Sequence, residues 1–152
     1  MNNILITIVV LFAACVFLPN GVQAQDAAEA TVLTPDSLKF RPHPAEKDGQ
    51  IATLYGNPGE TGHFVIRVKY APGWAGRPHT HGVTELLMVR SGTCYVALGD
   101  DLSREAATEL PAGSFAAVPA GTPMRGFASD EPCVVDVQGQ GPFTSHYLDE
   151  HE

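Results

Sequence analysis

From Ile51 onward the chain is a series of short runs rich in Val, Ile, Leu, Phe and Tyr, cut apart by Gly, Pro and Asp. This pattern predicts strands over Ile51–Tyr55, His63–Tyr70, Arg77–His81, Glu85–Val89, Thr93–Leu98, Ala106–Leu110, Ser114–Val118, Met124–Ala128, Val134–Gln138 and Thr144–Leu148. A spacing of roughly eight to twelve residues with turn signals between the runs argues an all-β sandwich or barrel. Closing the barrel would also remove the sheet edges that many short strands create. One helical turn is expected in Thr34–Lys39, and no long amphipathic helix, internal repeat or low-complexity tract interrupts the pattern.

The beginning of the chain follows other rules. Residues 1–24 carry no charged side chain, and Ile4–Leu18 is a continuous apolar run ending at Pro19-Asn20-Gly21 and the small-residue sequence Val22-Gln23-Ala24. That is a secretory signal, cleaved after Ala24, and export to the periplasm or medium is expected. Without cleavage it would act as an anchor. Residues 25–50 are polar and broken by Pro35, Pro42 and Pro44, so they read as an arm leading into a barrel domain over 51–152.

Charge narrows the partners. All nine Lys and Arg and all seventeen Asp and Glu lie beyond residue 24, for a net charge of −8. A surplus of this sign disfavours nucleic acid and anionic membrane surfaces. Cys94 and Cys133 both sit in strand-like runs. Export permits a disulfide between them, and two buried small hydrophobes fit equally well.

The chemistry concentrates in Gly73-Trp-Ala-Gly-Arg-Pro-His79-Thr-His81-Gly-Val-Thr-Glu85. Residues i and i+2 of a strand leave the same face, so His79 and His81 point together. Gly82 lets the chain turn, and Glu85 can return on a neighbouring strand. Two neutral imidazoles and a carboxylate are the ligand set of open divalent-metal sites, the facial triad of non-heme iron enzymes among them. Burying Glu85 without a cation or hydrogen bonds would be costly, which favours metal over an emptied pocket.

These residues resemble the first motif of the cupin superfamily: Gly, five residues, His-x-His, three or four residues, Glu, six residues, Gly. Gly73, His79, His81, Glu85 and Gly92 meet every position. The second motif is Gly, five residues, Pro-x-Gly, two residues, His, and three residues later Asn. Gly113, Pro119 and Gly121 match it, while Met124 and Ala128 stand at the His and Asn positions. The resemblance spans about Ile51 to Leu148 and implies a double-stranded β-helix, or jelly-roll, barrel. The wording Leu110-Pro-Ala-Gly-Ser-Phe and Gln138-Gly-Gln-Gly-Pro-Phe143 is similar to small single-domain bacterial cupins of unassigned activity. Gly92, Gly113 and Gly121 are expected in turns that need φ > 0.

Met124 is where the pattern departs. A thioether could coordinate, which would favour copper. It could sit beside the metal without bonding, leaving three open positions, or it could mark a site that has lost its affinity. Second-tier pocket candidates are Asp136 and Gln138, which alternate on one strand, and His63. Arg77 could receive an anionic substrate, and Tyr95 is assigned to core or rim.

The sequence thus predicts one divalent transition metal, with Fe or Mn favoured over Cu, Ni or Zn. It predicts an oxygenase-like metalloenzyme acting on a small organic molecule; the alternative is a non-catalytic module binding a small ligand or metal. A homodimer formed by strand exchange through the arm is compatible with the resemblance. No residue is identifiable from sequence as a general base.

Overall fold

A computed structural model describes residues 30–148. The predicted signal segment 1–24 and the first residues of the predicted arm lie outside the described residues. Eleven strands are formed: β1 (Arg41–Pro42), β2 (Gly49–Tyr55), β3 (Gly62–Tyr70), β4 (His79–His81), β5 (Glu85–Ser91), β6 (Thr93–Leu98), β7 (Thr108–Pro111), β8 (Phe115–Val118), β9 (Met124–Ala128), β10 (Cys133–Gly141) and β11 (Ser145–Tyr147). They make two antiparallel sheets, ordered β1-β2-β3-β10-β5-β8 and β11-β4-β9-β6-β7. This is the jelly-roll, double-stranded β-helix architecture that the strand pattern and the motifs predict.

Each predicted strand is found, Thr93–Leu98 and Met124–Ala128 with the predicted ends and the rest with shifted ones. β10 runs longer than its predicted span because it is central and pairs on both sides, with β3 and β5. β4 starts at His79 rather than Arg77, since Pro78 has no N–H to give to a ladder. The helical turn is a short 3₁₀ turn at Pro35–Ser37. The strand that the pattern misses is β1, in which Arg41 and Pro42 pair with Ile51 and Gln50 of the same chain. The arm is therefore partly woven into the larger sheet. Gly92, with φ 71°, turns the chain between β5 and β6, and a Cβ there would collide with the Pro132 carbonyl.

Burial alternates along the strands and fixes which face is inside. On β3 Phe64, Ile66 and Val68 are buried, and on β10 Cys133, Val135 and Val137 join them. Val89 of β5 and Cys94 of β6 complete this cluster, so the core lies between the sheets. Of the two readings of the cysteines, the structure takes the covalent one. Cys94 and Cys133 form a disulfide with Cα atoms 5.6 Å apart, tying β6 of one sheet to β10 of the other.

Candidate metal centre

His79 and His81 sit on β4, between β11 and β9. As the i, i+2 rule requires, their rings leave the same face, and their Nε2 atoms stand 3.1 Å apart. The other ring nitrogens decide what those Nε2 atoms carry. His79 Nδ1 is 2.7 Å from the Arg77 carbonyl oxygen, and His81 Nδ1 is 3.0 Å from that of Thr144. A carbonyl only accepts, so each Nδ1 holds the ring proton and donates it. Burial lowers the proton affinity of both rings against the opposing pull of these carbonyl bonds, taking His81 down to about 4. Both rings are neutral near pH 7, and two bare lone pairs face each other.

Glu85 reaches this point from the opposite sheet, a correction to the expectation of a neighbouring strand: it opens β5, which lies in the larger sheet while β4 lies in the smaller. The turn at residues 82–84 therefore crosses between the sheets. Its carboxylate Oε2 is 3.6 Å from His81 Nε2, too far for a hydrogen bond. That oxygen is buried with no hydrogen-bond partner. Desolvation pushes the carboxyl up to about 8.

This donor set fits a divalent cation. Metal–nitrogen bonds of about 2.0–2.1 Å place two nitrogens of one ion roughly 3 Å apart when they lie at right angles. A cation also supplies the partner that the orphaned carboxylate oxygen and the facing lone pairs lack. Among the described residues, however, no three His, Cys, Asp or Glu side chains close into one metal-holding group. The arrangement is two pairs that share His81.

These residues line a cavity of about 110 Å³ between the sheets, walled mainly by apolar side chains such as Ile66, Leu87, Val96 and Val137. Met124 also lines it, directly opposite His79 in the β4–β9 register. It is buried and packs against Val96, Val118, Leu87 and Leu110, the surroundings of a hydrophobic side chain. Phe143 stacks on the His81 ring with centroids 4.2 Å apart.

The second-tier candidates fall elsewhere. Asp136 and Gln138 do share a face of β10, but Val135 and Val137 take the cavity face. Asp136 is spent on Arg67, which donates to it from Nε at 2.6 Å and from a terminal nitrogen at 2.8 Å. Single-residue alternation sends both polar side chains to the outside of the barrel. His63 is exposed at the start of β3, beside Tyr55. The Arg77 guanidinium lies over the Tyr147 ring at 4.0 Å, and Tyr95 carries Arg104 on its ring at 3.4 Å.

Polar and aromatic residues that the sequence reading passed over also line the cavity, among them His43, Glu46, Tyr70 and Trp74. Trp74 Nε1 donates to Glu46 Oε2 at 3.1 Å, and its ring stacks on Tyr70 at 3.7 Å. Tyr70 is held protonated at any working pH by burial and by nearby carboxyl groups. The one available signal was that the chain's single Trp stands next to the first glycine of the motif. His43 and Glu46 left no signal, because a polar, proline-broken arm has no period to read.

Comparison with known proteins bears on the fold. Residues 66–137 match the Cupin domain family. No curated protein matches the sequence at a significant level. Among solved structures the chain is similar to the polyketide cyclase RemF from Streptomyces resistomycificus, at 18% identity over 82% of this chain and 89% of that one, with a TM-score of 0.67. It is similar to a sugar phosphate isomerase of the cupin superfamily from Silicibacter pomeroyi, at 22% identity over 78% and 82% of the two chains, with a TM-score of 0.61. It is also similar to the 7S globulin of Momordica charantia, at 16% identity over 77% of this chain and 37% of that one, with a TM-score of 0.56.

Proposed function

The chain carries a small cupin-type domain, and from that premise we propose that it is an exported, metal-dependent enzyme acting on a small organic molecule, with His79, His81 and Glu85 holding one divalent transition metal. A single observation carries this reading. Two carbonyl-locked imidazoles point bare nitrogens at each other across 3.1 Å beside a buried carboxylate oxygen that has no partner.

Nitrogen and oxygen donors in a 2-His-1-carboxylate set suit Fe(II) or Mn(II), with Cu, Ni and Zn also within the reach of imidazole. When bound, such an ion supplies Lewis-acid polarisation of a substrate oxygen or a place for O2. The chain's own residues do the rest. The Arg77 and Thr144 carbonyls fix both tautomers, Phe143 covers one ring, and the apolar wall keeps water away from the bound molecule. Met124, packed as a hydrophobe, leaves its corner of the site free for ligands, which favours an oxygenase-like reaction.

The disulfide supports export, since such bonds persist in oxidising compartments. A second reading, a binding module without turnover, draws on Met124 standing where the family pattern has a His, and fold alone does not choose between the two.

Elemental analysis of the mature chain decides the metal reading. About one Fe or Mn per chain is expected, and a His81→Ala variant should retain less than about a tenth of it. Wild-type protein that takes up no stoichiometric metal on reconstitution would end this reading. Sequencing of exported protein should find Gln25 at its N-terminus.

A further inference from the structure

The cavity has a second polar end that the metal reading leaves unused. His79 pairs with Met124 on β9, whereas Ala75, next to Trp74, bridges to Phe127. The two ends thus lie three residues apart along one strand, about 10 Å at 3.3 Å per residue.

At the far end the turn between β1 and β2 sets His43 and Glu46 against the cavity. The turn is closed by the His43 N–H donating to the Gly49 carbonyl at 2.9 Å and the Gly49 N–H donating to that of Glu46 at 3.2 Å. His43 Nδ1 accepts the N–H groups of Ala45 at 3.2 Å and Glu46 at 3.0 Å. Its ring proton is therefore on Nε2, which makes that atom a donor. Glu46 is oriented by Trp74, whose indole fills a cradle left by two glycines. A Cβ on Gly76 would stand 2.9 Å from the ring and one on Gly126 3.1 Å. Fixed in this way, a carboxylate acceptor and an imidazole donor border this end of the chamber, across mainly apolar walls from His79 and His81.

We propose that this end recognises a hydroxyl group, and that the cavity takes a small elongated molecule with an acidic oxygen group at one end and a hydroxyl at the other. A hydroxyl has one hydrogen to donate and lone pairs to accept with, which matches Glu46 and the His43 Nε2–H together. A carboxylate there would face Glu46 with like charge, which the nearby Arg77 offsets only in part, and a methyl group would leave both polar groups without partners. At about 110 Å³ the cavity is tighter than the roughly 150 Å³ that holds benzene, so it takes no more than a small ring or a short chain. The orientation of the molecule, acid toward His79 and His81, rests on the metal reading; the hydroxyl site does not.

The test is calorimetric titration of the mature chain, with and without Mn(II), using 4-hydroxybenzoate against benzoate and 4-hydroxyphenylacetate against phenylacetate. The hydroxylated member of at least one pair should bind about tenfold or more tightly. Glu46→Ala and, separately, His43→Ala should shrink that preference to about twofold while leaving the affinity for the unhydroxylated member unchanged. The second variant keeps the Glu46–Trp74 bond, so it serves if the first does not fold. Equal affinities in the wild type, a preference that survives both substitutions, or no binding of either pair overturns the proposal. Preference in a chain that takes up no Mn(II) upholds the hydroxyl site and defeats the metal reading. Stoichiometric Mn(II) without preference does the reverse.

Discussion

The Nε2 atoms of His79 and His81 face each other across 3.1 Å although both ring protons are committed to backbone carbonyls on the far sides of the rings. No hydrogen bond can join two lone pairs, so each nitrogen needs a donor or a cation between or beside them. Glu85, buried beside His81 from the other sheet, likewise has an oxygen without a partner.

The pH dependence of metal-free protein should show it. Glu85 is raised in the fold to about 8, so the stability it contributes falls as pH rises between about 4.5 and about 8. His81 is depressed to about 4, so its contribution is lost as pH falls from about 6.5. The opposed slopes offset each other up to about pH 6.5, and above that Glu85 acts alone. Urea midpoints in chelator should be nearly flat from about pH 5 to 6.5 and should drop toward pH 8. A Glu85→Gln variant should lose the upper drop; a midpoint still falling in that variant would place its cause elsewhere.

Met124 is predicted to be packing rather than ligand. Met124→Leu, a volume-conserving swap, should cost less than about 1.5 kcal/mol. It should leave metal affinity, read by chelator competition, within about threefold. Met124→His should raise that affinity about tenfold or more by supplying a third imidazole as fourth ligand. Copper selectivity abolished by the Leu variant would reverse this assignment.

Asp136 belongs to stability and not to the site. Removing its carboxylate in Asp136→Ala strands the part-buried Arg67 guanidinium and should cost about 2–3 kcal/mol in denaturant unfolding. Metal content should be unchanged. Loss of metal from a folded variant would put Asp136 back among the site residues.

The disulfide closes a loop across the sheets, between cysteines at a sequence separation of 39. Reduction, or replacement of both cysteines by Ala, should lower unfolding free energy by about 2–4 kcal/mol. Thiol titration of the native exported protein should find neither Cys94 nor Cys133 free.

Gly76→Ala tests how the second end of the cavity is set. Its new Cβ would press on the indole of the chain's single Trp, displacing Nε1 from Glu46 at a cost of about 1–3 kcal/mol. A shift in tryptophan emission should accompany the loss. An unchanged spectrum with unchanged stability would contradict the cradle.

The positions of the β2–β11 strands along the chain were legible, because short apolar runs and Gly or Pro breaks are local signals. So was the direction of His79 and His81, since i and i+2 share a face in any strand. The strand period also put Asp136 and Gln138 together correctly. It could not say which face that was, because alternation is symmetric until the sheet has a partner, and Val135 and Val137 took the inside. Pairing across sheets was likewise beyond a local reading. Only the packed barrel brings Glu85 over from the facing sheet, joins Cys94 to Cys133, and folds His43 and Glu46 of the arm onto the cavity. Spacing along a chain fixes neighbours within an element, and the contacts that make this site run between elements far apart in sequence.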